Sequence, residues 1–477
     1  MLLQFLPLIP IVFLFGLLSI RNWRKAVIAM LVWAMFEGAI RKWILPGFQQ
    51  PILLFKDVIL IFAYIGYYFS NHNDEYIPPK SGTLKVLLIV AISYCIFELF
   101  NPGIPSPLLG IYGLKNYIIY IPLSFLMSEI IKTRKDLNRF MIGICLLSLP
   151  ISLLGLYQFS QPPASWVNQY LSHEEGVDSI VATFGESAGS GDFIYGRARA
   201  ASTFSYIGGF VTYLLLAVPI AAALLLASVP KRRTLIIVVV ALVLSVGGAA
   251  TTGARMPFVV FAIGASVMLP MAASKSLLSV KTSLRLFVGI AIAGTATLWF
   301  ASGAFSALEY RTANSDSALD RIFSPFTELY DAYDTSPLIG TGIGTNSNAS
   351  ISIMGDTMPW WLGGYAYEGE PARIMQELGF FGFTLVYLPK LFATFLIFGY
   401  FRRARSALTI ATQMAAFVFV GVNLVLATVN NPTGGLMYWA VVGLAMAAHR
   451  VELREQRLSV ERDYQVLYGS SGPMALA

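Results

Sequence analysis

Seven arginines carry the first chemical signal. Arg41, Arg197, Arg199, Arg255, Arg311, Arg321 and Arg373 lie in or beside polar stretches that border long apolar runs. A guanidinium presents a rigid fork of donors that matches phosphate oxygens two at a time. Where an apolar run meets water, that fork sits at the depth of a lipid headgroup. Any one such arginine also reads as a surface charge on a snorkelling stem. Arg199, Arg255 and Arg321 taken together favour phosphate binding. Lys56 and Asp57 are adjacent in an apolar run, as are Glu98, Lys115 in "GLKNY", and Lys390 in others. Ionisable groups at such depths mark function by default, although Lys56 and Asp57 have a structural reading too. They neutralise one another or pair with Glu37 and Arg41 of "FEGAIRKW".

Carboxylates supply the second signal. In "EGEPARIMQELGFFG" (368–382), Pro371 suits the first helical position, which puts Glu370 at the N-cap and Glu368 in the turn before it. Glu370 then reads as a cap and Glu368 as a solvated loop residue, or both as groups that position and accept protons. Arg373 and Glu377 stand one turn apart on the same helix. Trp360, Trp361, Tyr365 and Tyr367 suit stacking on sugar rings and equally an interfacial aromatic belt. The three histidines, His72, His173 and His449, have no HExxH or Asp-rich companions, so neither metal nor cofactor is expected. "GTGIG" (340–344) follows no strand and is not read as a nucleotide loop.

The elements that must hold these residues are membrane helices. The chain has 477 residues, 56% hydrophobic and 12% charged, whereas soluble domains carry about 25% charged residues. Apolar runs long enough for roughly 30 Å of hydrocarbon recur throughout. They predict about thirteen spans: 2–20, 26–40, 53–70, 84–100, 111–131, 139–158, 205–228, 234–250, 256–273, 286–303, 373–400, 408–428 and 434–448. The first lacks a basic leader and a small-residue cleavage site and reads as a retained helix. Cys95 and Cys145 fall inside spans as packing residues. The expectation is one integral all-α polytopic domain over 1–477.

Basic residues orient it. "RNWRK" (21–25), "KTRKD" (132–136), "PKRRT" (230–234), 275–285, "FRRARS" (401–406) and the tail from 449 to 477 occupy alternate connections. Lys and Arg mark the cytoplasmic side, so the amino terminus is expected outside and the tail inside. The net charge of +7 is mainly this bias and says nothing of nucleic acid. Two long segments, 159–204 and 304–372, then lie outside, where long loops tend to carry function. Within the second, Leu319, Ile322, Phe323, Phe326, Leu329, Tyr330 and Tyr333 recur at helical spacing. An amphipathic helix over 317–333 is predicted, ended by Pro337, lying on the membrane or capping the bundle. The seven arginines fall on the outer side, against the positive-inside trend.

Four stretches together resemble the O-antigen polymerase and ligase superfamily (Wzy/WaaL-like). "RAASTF" (199–204) resembles its arginine motif at the start of a span, and "TTGARMPFVVF" (251–261) its small-residue–Arg turn. "DRIFSPFTELYDAYDTSPLIGTGIGTN" (320–346) resembles the amphipathic segment ending in Pro-x-x-Gly-x-Gly. "EGEPARIMQELGFFG" is similar to the segment written His-Asn-x-x-Leu-x-x-x-x-Glu-x-Gly, with Glu368 at the histidine and Gly369 at the asparagine. The likeness covers roughly 110–450, and "FEGAIRKWILP" (36–46) is similar to a subgroup of exopolysaccharide polymerase-like proteins.

The resemblance implies a GT-C-like glycosyltransferase of the bacterial inner membrane. It would polymerise undecaprenyl-diphosphate-linked glycan repeats on the periplasmic face, without metal and with inversion. Flippase and chain-length regulator are the implied partners, and membrane lipids the surroundings. Arg199, Arg255 and Arg321 would bind the diphosphate, Arg41, Lys115, Arg197 and Arg373 assist, and Glu368, with Glu370 second, serve as base. A carboxylate in place of histidine fits a polymerase better than a ligase. A ligase remains the alternative within the family. A lipid-linked oligosaccharide flippase and a non-catalytic subunit of a polysaccharide machine are the alternatives outside it.

Overall fold

The computed structural model describes residues 9–70, 81–169, 198–228, 230–278, 295, 318–347, 350–354 and 367–468. Over these residues the protein is all-helical. Helices α1 (Ile9–Arg21), α2 (Trp23–Ala39) and α3 (Gln49–Phe69) are followed by α4 (Gly82–Phe97), α5 (Pro107–Ile118), α6 (Leu123–Ile130) and α7 (Arg134–Ser160). Then come α8 (Ile207–Leu226), α9 (Arg232–Thr251), α10 (Met256–Ser274), α11 (Ala318–Thr335) and α12 (Ser350–Met354). The chain closes on α13 (Glu370–Arg403), α14 (Ala407–Val422) and α15 (Pro432–Tyr468).

Among the described residues, seven helices are long and apolar enough to cross a membrane: Pro46–Phe69, Gly82–Phe100, Arg134–Ser160, Ile207–Leu226, Arg232–Thr251, Met256–Ser274 and Glu370–Arg403. That is the build of a multi-pass membrane protein, because a lipid-exposed backbone must satisfy its own hydrogen bonds. Helix α8 is apolar on every side, and such a helix belongs inside. It is almost wholly buried and packs against α7, α9, α10, α14 and α15. Helix α4 is apolar as well but leaves Val86, Ile89, Val90 and Phe97 exposed, a face suited to lipid.

Three expected spans take another form. The run 111–131 divides into α5 and α6, with a turn at 119–122 that contains Pro122. The run 408–428 stops being helical at Val422, and 423–431 form a non-helical, partly buried connection to α15. Helix α13 bends at Gly379, whose φ of 65° and ψ of −173° are not helical. It also begins one residue earlier than expected: Gly369, not Glu370, is the N-cap, and Glu370 opens the helix. The expected span 286–303 apart from residue 295, residues 2–8 of the expected span 2–20, and the loop segments 170–197, 304–317 and 355–366 lie outside the described residues.

Hydrogen bonds between connections sort them into two ends. One end gathers the basic stretches. There Lys275 donates to the carbonyls of Arg402 and Ala404, and Glu452 accepts from the amides of Arg405 and Ser406. The other end gathers 40–48, 98–106, 198–206, 252–255, 336–347, 367–370 and 423–431. Helix α11 lies at this second end, with Ala332 buried beside Ala372 and Met375. Its Phe323, Phe326, Tyr330 and Tyr333 remain exposed.

Candidate functional site

The segment 198–206 is built to hold one arginine in place. Ala200 N donates to Thr251 O at 2.9 Å. Ser202 has a φ of 53°, a left-handed conformation that a non-glycine residue adopts only under constraint. The constraint is visible: Ser202 N donates to Gln158 Oε1 at 2.7 Å, Ser202 Oγ to Ile151 O, and Thr203 Oγ1 to Met35 O. Phe204 is buried against Phe210 and Tyr213. Gly38 lets α2 touch this segment backbone to backbone, since a Cβ there would lie 2.1 Å from Ser205 N. Ser202, Thr203 and Phe204 thus bolt the strap down, and Arg199 is left half-buried with Nε on Thr252 O at 2.9 Å. Arg255 lies three residues beyond Thr252, at the N-cap of α10, and is half-buried too.

Two further cations reach the same segment from α2. The helix runs on into a π-helical turn, Ile40–Ile44, a geometry found preferentially at functional sites. It turns Arg41 and Lys42 inward, 6% and 0% exposed. Arg41 Nη1 donates to Ser205 Oγ at 2.8 Å and Lys42 Nζ to Ser202 O at 2.6 Å. The Lys42 ammonium also lies 4.4 Å from the Trp43 ring. No carboxylate among the described residues pairs with it. Burial pushes Lys42 down to about 7, the response expected of a buried cation without a counter-ion.

Neighbouring charges are balanced. Lys56 pairs with Glu37 at 2.8 Å and Lys115 with Asp57 at 2.7 Å, and Tyr120 OH donates to the other Asp57 oxygen at 2.6 Å. Lys56 and Asp57 therefore find separate partners and do not neutralise each other. Lys115, grouped by sequence with the assisting cations, is held by Asp57.

The carboxylates separate into different environments. Glu370 is buried and accepts five hydrogen bonds, from the amides of Thr428, Val429 and Asn430, from Thr428 Oγ1, and from Lys390 Nζ at 3.1 Å. It caps the non-helical 423–431 segment, so its oxygens are fully engaged in structure. Glu368 is exposed, two residues before α13 and beside Gly369, whose amide donates to Glu328 Oε2 at 2.6 Å. Arg373 is buried with Nε on Tyr367 O at 2.9 Å and so fixes the turn that carries Glu368. Glu377 receives Tyr117 OH at 2.7 Å and Asn346 N at 2.8 Å. It anchors the glycine-rich strap 340–346, in which Gly340, Gly342 and Gly344 all have positive φ.

The structure thus brings Arg41, Arg199 and Arg255 of the expected residues to one end of the bundle and adds Lys42. It places Glu368 and Arg373 at the same end, on the α11–α13 side. Arg321 lies in α11 with its side chain outside the described residues, and Arg197 lies wholly outside them. Lys42 and the anchoring role of Glu377 are not apparent from sequence, whereas Lys390 is visible there as a charge within an apolar run and the structure adds its pairing with Glu370. The adjacency "RK" in "IRKWI" was the available signal for the first, because a regular helix cannot turn both side chains the same way.

No family model matches the chain, and no curated protein matches it in sequence.

Proposed function

We propose that the end carrying 198–206 binds the diphosphate of a polyprenyl-linked glycan, and that the protein transfers glycosyl units from it on the periplasmic face. The observation that carries the reading is the gathering of Arg199, Arg255, Arg41 and Lys42 from three separate helix ends around one immobilised segment. Lys42 in particular is a buried cation that an anionic ligand would complete. In the proposed arrangement about thirteen spans place both long segments in the periplasm, and substrate enters from the lipid.

The chemistry follows from the leaving group. An acceptor hydroxyl oxygen attacks the anomeric carbon as its bond to the diphosphate oxygen breaks. The diphosphate departs with the bonding electrons, and the hydroxyl proton passes to Glu368. Fixed cations stabilise charge as it develops on the departing oxygens and need no reorganisation. One displacement inverts the anomeric centre. Glu368 is the exposed carboxylate of the 368–370 pair, and the acceptor is a second lipid-linked chain.

The test is polymer formation from a lipid-linked repeat by the purified protein in bilayers. Arg199→Ala is expected to reduce the rate about 10²–10³-fold and Glu368→Gln about 10²–10⁴-fold, with folded protein matched. Activity is expected to persist in EDTA. Polymer made at the unaltered rate by both variants would overturn the assignment.

The discontinuities at 119–122, 423–431 and Gly379 favour a second reading, translocation of the same lipid. Broken helices with buried charges such as Glu370 and Lys390 are a feature of transporters. Transfer of labelled lipid between leaflets of a proteoliposome, with no polymer formed, would establish that reading over the first.

A further inference from the structure

Away from the cation cluster, a groove of about 370 Å³ opens between α2, α7, α8 and α15. Its volume falls within the roughly 300–1,000 Å³ of small-molecule sites. The walls are hydrocarbon, from Leu31 and Met35 of α2, Phe140 and Leu147 of α7, and Leu216 of α8. The two charged lining groups, Asp136 and Arg139, both belong to the start of α7, at the basic end. We infer that this groove holds one hydrocarbon chain of an anionic phospholipid drawn from the leaflet at the basic end.

Three features converge on that occupant. Length is the first. Along α7 the lining runs from Asp136 to Leu147, eleven residues or roughly 16 Å of helix, about half of a 30 Å hydrocarbon core. The groove therefore spans one leaflet and stops. Met35 and Tyr213 also line it, and the Tyr213 hydroxyl is engaged by donating to Ile144 O at 2.7 Å. Width is the second. Gly143 lies in the wall, and a Cβ built on it meets no atom within 4 Å, so the groove is open where a side chain would otherwise stand.

Charge is the third. Arg139 is exposed at the mouth, and Lys132, Arg134 and Lys135 lie on the same turn and its approach. The Asp136 carboxylate is drawn into the capping box of α7, accepting from Thr133 N at 3.2 Å and Thr133 Oγ1 at 2.7 Å. The headgroup level is thus a basic rim that complements a phosphodiester. A zwitterionic headgroup would bring a cation against it.

The test uses the full chain, delipidated in detergent and then offered phosphatidylglycerol or phosphatidylcholine, with bound lipid counted by native mass spectrometry. The unaltered protein is expected to retain one phosphatidylglycerol, several-fold in preference to phosphatidylcholine. Gly143→Phe, whose Cβ would meet no atom within 4 Å and whose ring would occupy the groove, is expected to abolish that retention at unchanged thermal stability. Arg139→Gln is expected to erase the preference while a lipid is still held. A diazirine-bearing phosphatidylglycerol provides a readout independent of those variants and should label peptides of α2 and α7. Equal retention of both lipids by the unaltered protein, undiminished retention by Gly143→Phe, or labelling absent from α2 and α7 would overturn the inference. So would displacement of the bound phosphatidylglycerol by a polyprenyl phosphate that Gly143→Phe in turn excludes.

Discussion

At the scale of single residues, two glutamates two positions apart are assigned opposite work. Glu370 accepts three backbone amides and a lysine, whereas Glu368 is exposed and carries none of the packing. Removing one partner of a buried pair typically costs about 3–5 kcal/mol. Glu370→Ala is therefore expected to lower stability by about that amount, read as a fall in the melting temperature of the detergent-solubilised protein. Glu368→Gln is expected to leave the melting temperature unchanged while it removes activity. If the two substitutions exchanged their effects, the base would be Glu370. The Glu37–Lys56 pair allows a cleaner version of the argument. Glu37→Gln leaves the Lys56 ammonium buried without its counter-ion and should cost about 3–5 kcal/mol. Adding Lys56→Met should recover most of the loss, since the remaining lysine charge is what the single change strands. Failure of the double variant to recover would mean that the Lys56 bond to Leu53 O matters more than the pairing.

At the scale of elements, one helix supplies two glycines with opposite expectations. Gly379 bends α13 at positive φ, and a Cβ there would lie 2.1 Å from Leu338 O. Gly399 lies in regular helix with nothing within 4 Å. Gly399→Ala should stabilise by about 0.5–1 kcal/mol, and Gly379→Ala should destabilise by more than that and release the strap 340–346. Thermal unfolding and limited proteolysis of the strap measure both, and the same sign for both would refute the bend as a built feature. These elements also show what a sequence can disclose. Long apolar runs announce helices because lipid permits little else, and α3, α4, α7, α8, α9 and α10 lie close to where hydropathy puts them. The interruptions at 119–122 and 423–431 do not announce themselves, because an apolar residue reads the same in a helix or in a packed turn. What stabilises 423–431 is a carboxylate more than fifty positions away, at Glu370. The site divides in the same manner. Arg199 and Arg255 are conspicuous as charges where topology disfavours them, whereas Lys42 is revealed only by a π-helical turn that local sequence does not specify.

At the scale of the whole molecule, the two ends differ in charge in a way that fixes an orientation test. The basic connections collect at one end, and the Arg41–Lys42–Arg199–Arg255 group lies at the other. Lys and Arg retained in short loops keep those loops cytoplasmic, so the second end should face outward, with both proposed donor and acceptor approaching from there. The native thiols leave the measurement clean: Cys95 and Cys145 are both buried. A cysteine at exposed Tyr206, beside the cation cluster, should react with a membrane-impermeant maleimide in intact spheroplasts. A cysteine at exposed Val460, in the last turns of α15, should react only after lysis. The reverse pattern would turn the molecule over and place the cation cluster in the cytoplasm. A lipid-linked glycan waiting in the periplasm could not reach it there, and the proposed transfer would fail together with the orientation. The lipid groove is independent of that outcome. It follows the basic rim whichever leaflet the rim occupies, so the labelling result decides which leaflet supplies its lipid and leaves the groove itself to the binding experiment.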